Sequence, residues 1–96
     1  LRWRGRVETM KRVTTRDVPQ YWRDGIAACN NGSQFWTDGR KLYSYQLMIG
    51  DTVTLQEMRK EMKVLRDYSA KGRHGFKSAT TSKHVGYARR VADYVD

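Results

Sequence analysis

The chain has 96 residues, of which 39% are hydrophobic and 30% charged, and its formal net charge at pH 7 is +9. A chain of this length forms one small core, and its composition is that of a folded protein rather than a disordered one. It contains no apolar run of the ~18 residues that cross a bilayer. Its one cysteine, without a Cys/His cluster, excludes an internal disulfide and a zinc site. We therefore expect a cytoplasmic protein with no membrane contact, no metal and no cofactor.

Residues 1–9 precede the first methionine, Met10, and we interpret them as an extension outside the folded unit, which we place at residues 10–96. The charge is uneven: residues 1–24 contain seven basic and three acidic side chains, residues 25–55 two of each, and residues 56–96 ten and five. A surplus of this size attracts polyanions, so the predicted partners are nucleic acid or an acidic protein surface. Charge alone does not choose between them.

The first predicted element is a short helix over residues 19–29. Asp17 stands before Val18-Pro19, a pattern typical of a helix that an aspartate caps and whose first turn holds a proline. The side chains expected to face the core are Tyr21, Trp22 and Ile26.

The dipeptide Asp38-Gly39 separates two stretches rich in aromatic residues, 34–37 and 40–47, and predicts a β-hairpin with a two-residue loop. That loop would pair Trp36 with Lys41. Because side chains alternate across a strand, one face would carry Phe35, Leu42 and Ser44, and the other would carry Trp36, Lys41, Tyr43 and Tyr45. The second strand would end at Gly50-Asp51.

The segment after Thr54 supports two interpretations. Thr54 and Glu57 match a capping box, and the apolar residues of this segment recur at helical spacing. Residues 63–69, however, alternate in a way that is equally typical of a strand. We predict a short helix over residues 55–62, followed by a strand over residues 63–69.

A basic turn at residues 71–75 precedes a predicted strand at residues 76–80 and a final helix capped by Thr81 or Ser82. The apolar stripe of that helix comprises His84, Tyr87, Ala88, Val91, Tyr94 and Val95. The predicted fold class is therefore α+β: a small antiparallel sheet of three to four strands built around the central hairpin, packed by the C-terminal helix and one or two short helices.

Four stretches of the sequence together resemble a small domain of uncharacterised phage and mobile-element proteins: VPQYW at 18–22, the segment 30–50 that contains LYSY at 42–45, YSA at 68–70, and the segment 78–90 that contains TTSKH at 80–84. The similarity extends over most of the chain from Val18 onward, and LYSY together with TTSKH is its most specific part. The chain departs from the pattern at Gln20, where the family often has histidine, and at 47–50, where LMIG replaces a proline-containing end. The resemblance implies a viral or mobile-element setting in a host cytoplasm, and it implies no mechanism.

The aromatic hairpin is one candidate site. Its rings would stack on nucleic-acid bases while Lys41 meets phosphate, or the same rings would anchor a protein partner; these rings are Trp36, Tyr43 and Tyr45. The alternative is that Trp36 and Tyr43 belong to the core, because a small domain needs most of its large rings inside.

The basic C-terminal half is the other candidate site. Hydroxyl side chains run into the start of the last helix at residues 78–84, where free amides and the helix dipole favour phosphate, although an ordinary helix cap explains the same pattern. The residues predicted to bind nucleic acid are Lys41, Lys71, Arg73, Lys77, Ser82, Lys83, Arg89 and Arg90. The alternative for these cations is a solvated charged face.

His84 lies on the apolar stripe, where a lone histidine is more typical of structure than of catalysis. Without paired carboxylates, a Ser-His-Asp arrangement or a Gly-rich phosphate loop, we predict no enzymatic activity and no catalytic residue. The predicted function is that of a small accessory protein that binds nucleic acid through its basic C-terminal surface. The alternatives are an inhibitor or adaptor that docks on a host or viral protein, such as a defence component, through the aromatic hairpin, and a virion component that self-associates through an open strand edge.

Overall fold

A computed structural model describes residues 10–96, which form one mixed sheet of seven strands with two helices. The strands are β1 (Lys11–Arg12), β2 (Ala28–Cys29), β3 (Phe35–Thr37), β4 (Leu42–Ser44), β5 (Leu47–Leu55), β6 (Lys60–Leu65) and β7 (Tyr94–Val95). They lie side by side in chain order. Strands β2 to β6 are antiparallel to one another, whereas β1 is parallel to β2 and β7 is parallel to β6. The helices are α1 (Val18–Asp24) and α2 (Ala79–Arg89).

The expected antiparallel sheet of three to four strands is therefore wrong, because the sheet has seven strands and is mixed. β1, β2 and β7 contain two residues each, too few for the alternation of side chains to be visible in the sequence. Both parallel pairs are joined through a helix, since parallel strands require a crossover. α1 connects β1 to β2, and α2 lies between β6 and β7.

Both helices share one core with the central strands. This core consists of Val18, Trp22, Phe35, Leu42, Ile49, Leu65, Tyr68, Val85 and Ala88. A smaller cluster of Met10, Cys29 and Trp36 lies on the opposite face of the sheet, because side chains alternate along β3. Neither helix of residues 10–96, at seven and eleven residues, is long and apolar enough to span a membrane.

α1 lies where the sequence predicts a helix, but it ends at Asp24, earlier than expected. Gly25 adopts a left-handed φ of 76°, and the amides of Gly25 and Ile26 bond back to the carbonyls of Trp22 and Tyr21. Trp22 is fully buried, as predicted, whereas Ile26 is 49% exposed because it follows the end of the helix.

The hairpin of β3 and β4 is present, but its loop has four residues, 38–41, instead of two. Trp36 pairs with Tyr43 rather than with Lys41. The Asp38 carboxylate accepts hydrogen bonds from the backbone amides of Arg40 and Lys41 at 2.9 and 2.8 Å, which stabilises the wider loop. The register differs from the prediction by two residues, and because side chains alternate with a period of two, the predicted faces of the paired residues are unchanged.

The predicted helix over residues 55–62 is wrong, because this segment is a second β-hairpin. β5 continues through Gly50-Asp51, where a strand end was expected, and β6 begins at Lys60 and ends at Leu65. The turn at residues 56–59 is four residues long, and the apolar residues of the turn and of the strand segments beside it recur at intervals that resemble those of a helix. Pairing with β4 on one side and with β6 on the other decides the conformation of β5 in favour of a strand.

The predicted strand at residues 76–80 is also wrong, because the chain enters α2 at Ala79. Ser78 is the N-cap: its backbone is extended, and its Oγ accepts a hydrogen bond from the Thr81 amide at 3.1 Å. α2 therefore begins before the predicted cap at Thr81 or Ser82. It ends at Arg89, and the last part of the predicted helical stripe is β7 instead.

Gly86 offers a test of α2 in solution. It lies in the interior of α2 on the exposed side, and a Cβ atom added there would meet no atom within 4 Å. We expect Gly86→Ala to raise the free energy of unfolding by about 0.5–1 kcal/mol, because alanine loses less backbone entropy than glycine on entering a helix. Urea denaturation measures the change. A variant no more stable than the parent would show that this part of α2 is not helical in solution.

Candidate functional site

A surface cleft of about 360 Å³ lies between α2, the turn before α1 and the turns that flank β3 and β4. The α2 side chains that line it are Thr80, Lys83, His84 and Tyr87. The opposite walls are formed by Thr15, Asn30, Gln34 and Tyr45. The cleft thus combines a lysine with aromatic rings and neutral hydrogen-bonding groups.

Asn30 holds two of these walls together. Its side-chain amide donates to the Thr15 hydroxyl at 2.9 Å, and its Oδ1 accepts from the Phe35 amide at 3.0 Å. Asn30 is buried, so both bonds are shielded from water. The turn before α1 is therefore fixed to the start of β3.

His84 forms the floor of the cleft. It is only 3% exposed, and its ring stacks on Phe35 with the centroids 4.1 Å apart. Its Nδ1 lies 2.7 Å from the Ser44 Oγ, in the interior. Burial lowers the pKa of His84 to about 4, so the imidazole is neutral at pH 7.

A chain of hydroxyl groups extends from His84 toward the start of α2. The Ser44 Oγ lies 2.9 Å from the Thr81 Oγ1, and the Ser78 hydroxyl donates to the same Thr81 oxygen at 3.1 Å. Ser44 and Thr81 are both buried. β4 is therefore joined to α2 by side-chain hydrogen bonds as well as by the apolar core.

Tyr45 stands at the mouth of the cleft in a backbone conformation that tyrosine rarely adopts. Its φ is +58°, at the first position of the two-residue loop between β4 and β5, where glycine is usual. Its amide donates to the Gln34 carbonyl at 2.6 Å, and its carbonyl accepts from the Trp36 Nε1 at 2.9 Å. These bonds fix the turn and leave the Tyr45 side chain 48% exposed beside His84.

Lys83 in α2 and Arg90, the C-cap residue that follows α2, are both exposed and lie on the same side of the helix, because seven residues make almost two turns. Neither forms an ion pair within residues 10–96. Asp93, which lies close to Arg90, is already paired with Arg23 at 2.7 Å. We call the surface of Lys83, Gly86 and Arg90 the α2 basic face.

The Lys71–Gly75 turn and α2 both reach the C-terminal end of β6, but acidic side chains neutralise the arginines there. Arg89 pairs with Asp67 at 2.7 Å, and Arg73 pairs with Asp96 at 3.2 Å. Burial raises the pKa of the Asp67 carboxyl, but hydrogen bonds from Ser69 and Arg89 outweigh it and hold the value below its usual range. Two of the predicted phosphate ligands are thus engaged within the protein.

The remaining residues predicted to bind nucleic acid lie apart from the α2 basic face or are occupied. Lys41 is exposed in the loop before β4. It lies about 10 Å along the strand from Ser44, which is at the other end of β4. Lys71 is exposed in its turn, and the Lys77 Nζ lies over the Tyr68 ring at 5.8 Å. The Ser82 hydroxyl is buried, with no hydrogen-bond partner within residues 10–96.

The three rings proposed as partner anchors have different surroundings. Trp36 is 4% exposed and stacks on Tyr43 with the ring centroids 4.1 Å apart, so Trp36 offers little surface to a partner. Tyr43 is half-buried at the edge of the cluster on the open face of the sheet. Of the three, only Tyr45 presents a largely exposed side chain.

Sequence reasoning missed the contact that builds the cleft. Ser44 belongs to the word LYSY, whereas Thr81 and His84 belong to TTSKH, and these two words meet in space through the hydroxyl chain. Both segments are conspicuous in the sequence, but nothing in the sequence indicates that they contact each other. The contributions of Asn30 and Gln34 have no sequence signal, because isolated amides in turns are common.

No protein family model, no curated protein and no solved structure matches the chain. Within residues 10–96 there is also no group of three or more His, Cys, Asp or Glu side chains that would hold a metal ion. The function is therefore argued from the cleft and from the α2 basic face.

Proposed function

We propose that this protein binds nucleic acid, without catalysing a reaction, through the α2 basic face and the cleft beside it. The sequence resemblance adds the expectation of a phage or mobile-element setting. The observation that carries the proposal is the placement of Lys83, an exposed cation without an ion-pair partner in residues 10–96, beside the exposed ring of Tyr45.

The pattern of ion pairs favours this surface over the four paired arginines. Within residues 10–96 four arginines are paired with carboxylates; they are Arg23, Arg40, Arg73 and Arg89. Such arginines meet phosphate only by giving up a carboxylate, whereas Lys83 and Arg90 exchange only water and counterions. The α2 basic face can therefore bind a polyanion without first breaking an ion pair within the protein.

The shape of the α2 basic face also suits a nucleic-acid backbone. Gly86 lies between the two cations and leaves open space where a side chain would stand. A phosphate chain can therefore approach the helix backbone between Lys83 and Arg90. Contacts of this kind position a nucleic acid and carry little sequence information.

The double variant Lys83→Ala/Arg90→Ala tests the proposal. We expect weaker binding of labelled oligonucleotides, with the slope of log K against log salt reduced by about 1.4 for a single strand or about 1.8 for a duplex, because two phosphate contacts are lost. Fluorescence anisotropy at several salt concentrations measures both quantities.

The matched control is Lys41→Ala/Lys71→Ala, which removes the same charge from exposed positions outside α2. A control that weakens binding as much as the α2 double variant would show that net charge acts without a defined surface. If the parent protein binds no oligonucleotide even at low salt, the proposed function is wrong.

A further inference from the structure

We propose that the cleft receives one unpaired base of a single strand, stacked on Tyr45 and accepting a hydrogen bond from His84 Nε2. This inference rests on the proposed function and narrows it from nucleic acid in general to single strands. It depends on three features: the direction of the hydroxyl chain, the free edge of the His84 ring, and the conformation of Tyr45.

The direction in which the hydroxyl chain donates decides which nitrogen of His84 carries the proton, and our proposal assigns that direction. Ser78 donates to Thr81 at 3.1 Å, and we infer that Thr81 donates in turn to Ser44 at 2.9 Å, because each of these two hydroxyl groups then both accepts and donates a hydrogen bond. The Ser44 proton is then left for Nδ1 of His84 at 2.7 Å. A neutral imidazole whose Nδ1 accepts a hydrogen bond carries its proton on Nε2.

The Nε2 atom has no hydrogen-bond partner within residues 10–96, and it is not among the fully buried unpaired polar atoms of that range. Nδ1 is engaged in the interior, so Nε2 is the polar atom that the ring can present to the cleft that it lines. A ligand that covers this atom without accepting its hydrogen bond would leave it without a partner, which is costly. A carbonyl oxygen or ring nitrogen of a base would satisfy it, and a hydrocarbon would not.

Tyr45 shows where the base would lie. Its positive φ is unfavourable for any residue with a Cβ atom, and glycine would remove that cost. The exposed ring makes no hydrogen bond within residues 10–96 that would repay the strain, and its closest ring neighbour is His84, 6.3 Å away between centroids. A role in stacking accounts for a tyrosine at a position that suits glycine.

Size and access select a single strand. The volume of about 360 Å³ is near the lower end of the ~300–1,000 Å³ range of ligand pockets, which suits one base rather than several. In a duplex the bases are stacked on one another and their faces are covered, so Tyr45 reaches only an unpaired base. Lys83 at the same cleft is placed for the adjoining phosphate.

The test compares oligothymidylate with an abasic phosphodiester chain of the same length and with a duplex. Tyr45→Gly removes the ring while keeping a residue that tolerates the turn, and Tyr45→Phe keeps the ring. We expect Tyr45→Gly to weaken oligothymidylate binding at least about fivefold, and Tyr45→Phe to preserve it. Binding of the abasic chain and of the duplex should be weaker and should not respond to Tyr45→Gly.

The His84 ring gives a second measurement that needs no variant. In ¹⁵N-detected NMR of the imidazole nitrogens we expect the Nε2–H form in the free protein, and a change at Nε2 when oligothymidylate binds but not when the abasic chain binds. Equal affinity of Tyr45→Gly for oligothymidylate, or an unchanged Nε2 signal, would overturn the inference. The proposed function would still stand if Lys83→Ala/Arg90→Ala weakened oligonucleotide binding as expected. A parent protein that binds none of the three ligands would contradict both the proposed function and this inference.

Discussion

Replacing Trp22 with alanine is expected to lower the free energy of unfolding by about 3–5 kcal/mol, because the largest fully buried side chain of the core would leave a cavity. Trp22 connects α1 with the sheet and with the loop between β3 and β4. Its Nε1 donates to the Arg40 carbonyl at 2.8 Å, and the Lys63 ammonium lies over its ring at 5.7 Å. Urea denaturation measures the loss, and a change below about 1 kcal/mol would contradict this packing.

A double-mutant cycle with Gly50 separates packing from other effects of the Trp22 substitution. A Cβ atom at Gly50 would lie 2.8 Å from the Trp22 ring, so Gly50→Ala alone should destabilise the protein by about 1–3 kcal/mol. Trp22→Phe removes the part of the indole that meets position 50, and Thr52 still donates to the Arg40 carbonyl at 2.7 Å. We therefore expect Gly50→Ala to cost less in the Trp22→Phe background.

Acidification from pH 7 to pH 4 is expected to lower the free energy of unfolding by about 3 kcal/mol through His84 alone. The pKa of His84 is about 4 in the folded protein because burial disfavours the charged ring, and it returns to about 6.5 when the chain unfolds. Between these values the unfolded chain binds a proton that the folded protein does not, so stability falls as the pH falls. Above pH 6.5 His84 has no effect on the pH dependence, since both states are neutral.

Direct titration of the folded protein by NMR measures this pKa. Assignment needs one control, His74→Asn, since His74 is the other histidine of the chain. Carboxyl groups with lowered pKa values, such as Asp67 and Asp96, lose their contribution to stability mainly at lower pH than the range in which the unfolded chain protonates His84. A His84 ring that titrates near 6.5 in the folded protein would show that it is not buried against Phe35 and Ser44.

The elements with local signals were predictable. A proline in the first turn locates the start of α1, and the Asp38-Gly39 dipeptide locates the β3–β4 hairpin, because these residues act on their own backbone. The faces of that hairpin were also correct despite the wrong register. The helix predicted over residues 55–62 was wrong because the capping and spacing signals were local, whereas β5 is a strand through its pairing with β4 and β6.

The candidate site was predictable only in part. The sequence identified the cations and the aromatic hairpin, but it could not show that Arg89 and Arg73 are paired with carboxylates, or that Trp36 is covered while Tyr45 is exposed. Ion pairs join residues more than twenty positions apart, and no local pattern encodes which carboxylate meets which arginine. The same limit applies to the contact of Ser44 with His84.

The sequence by itself determined the basic surplus, the absence of an internal disulfide, the start of α1 and the location of the β3–β4 hairpin, because each depends on composition or on neighbouring residues. Only the tertiary structure decided the order of the seven strands, which cations form ion pairs, and the contact between the LYSY and TTSKH segments at the cleft. Those features depend on contacts between distant segments, which form only when the burial of both helices on one face of the sheet brings the segments together.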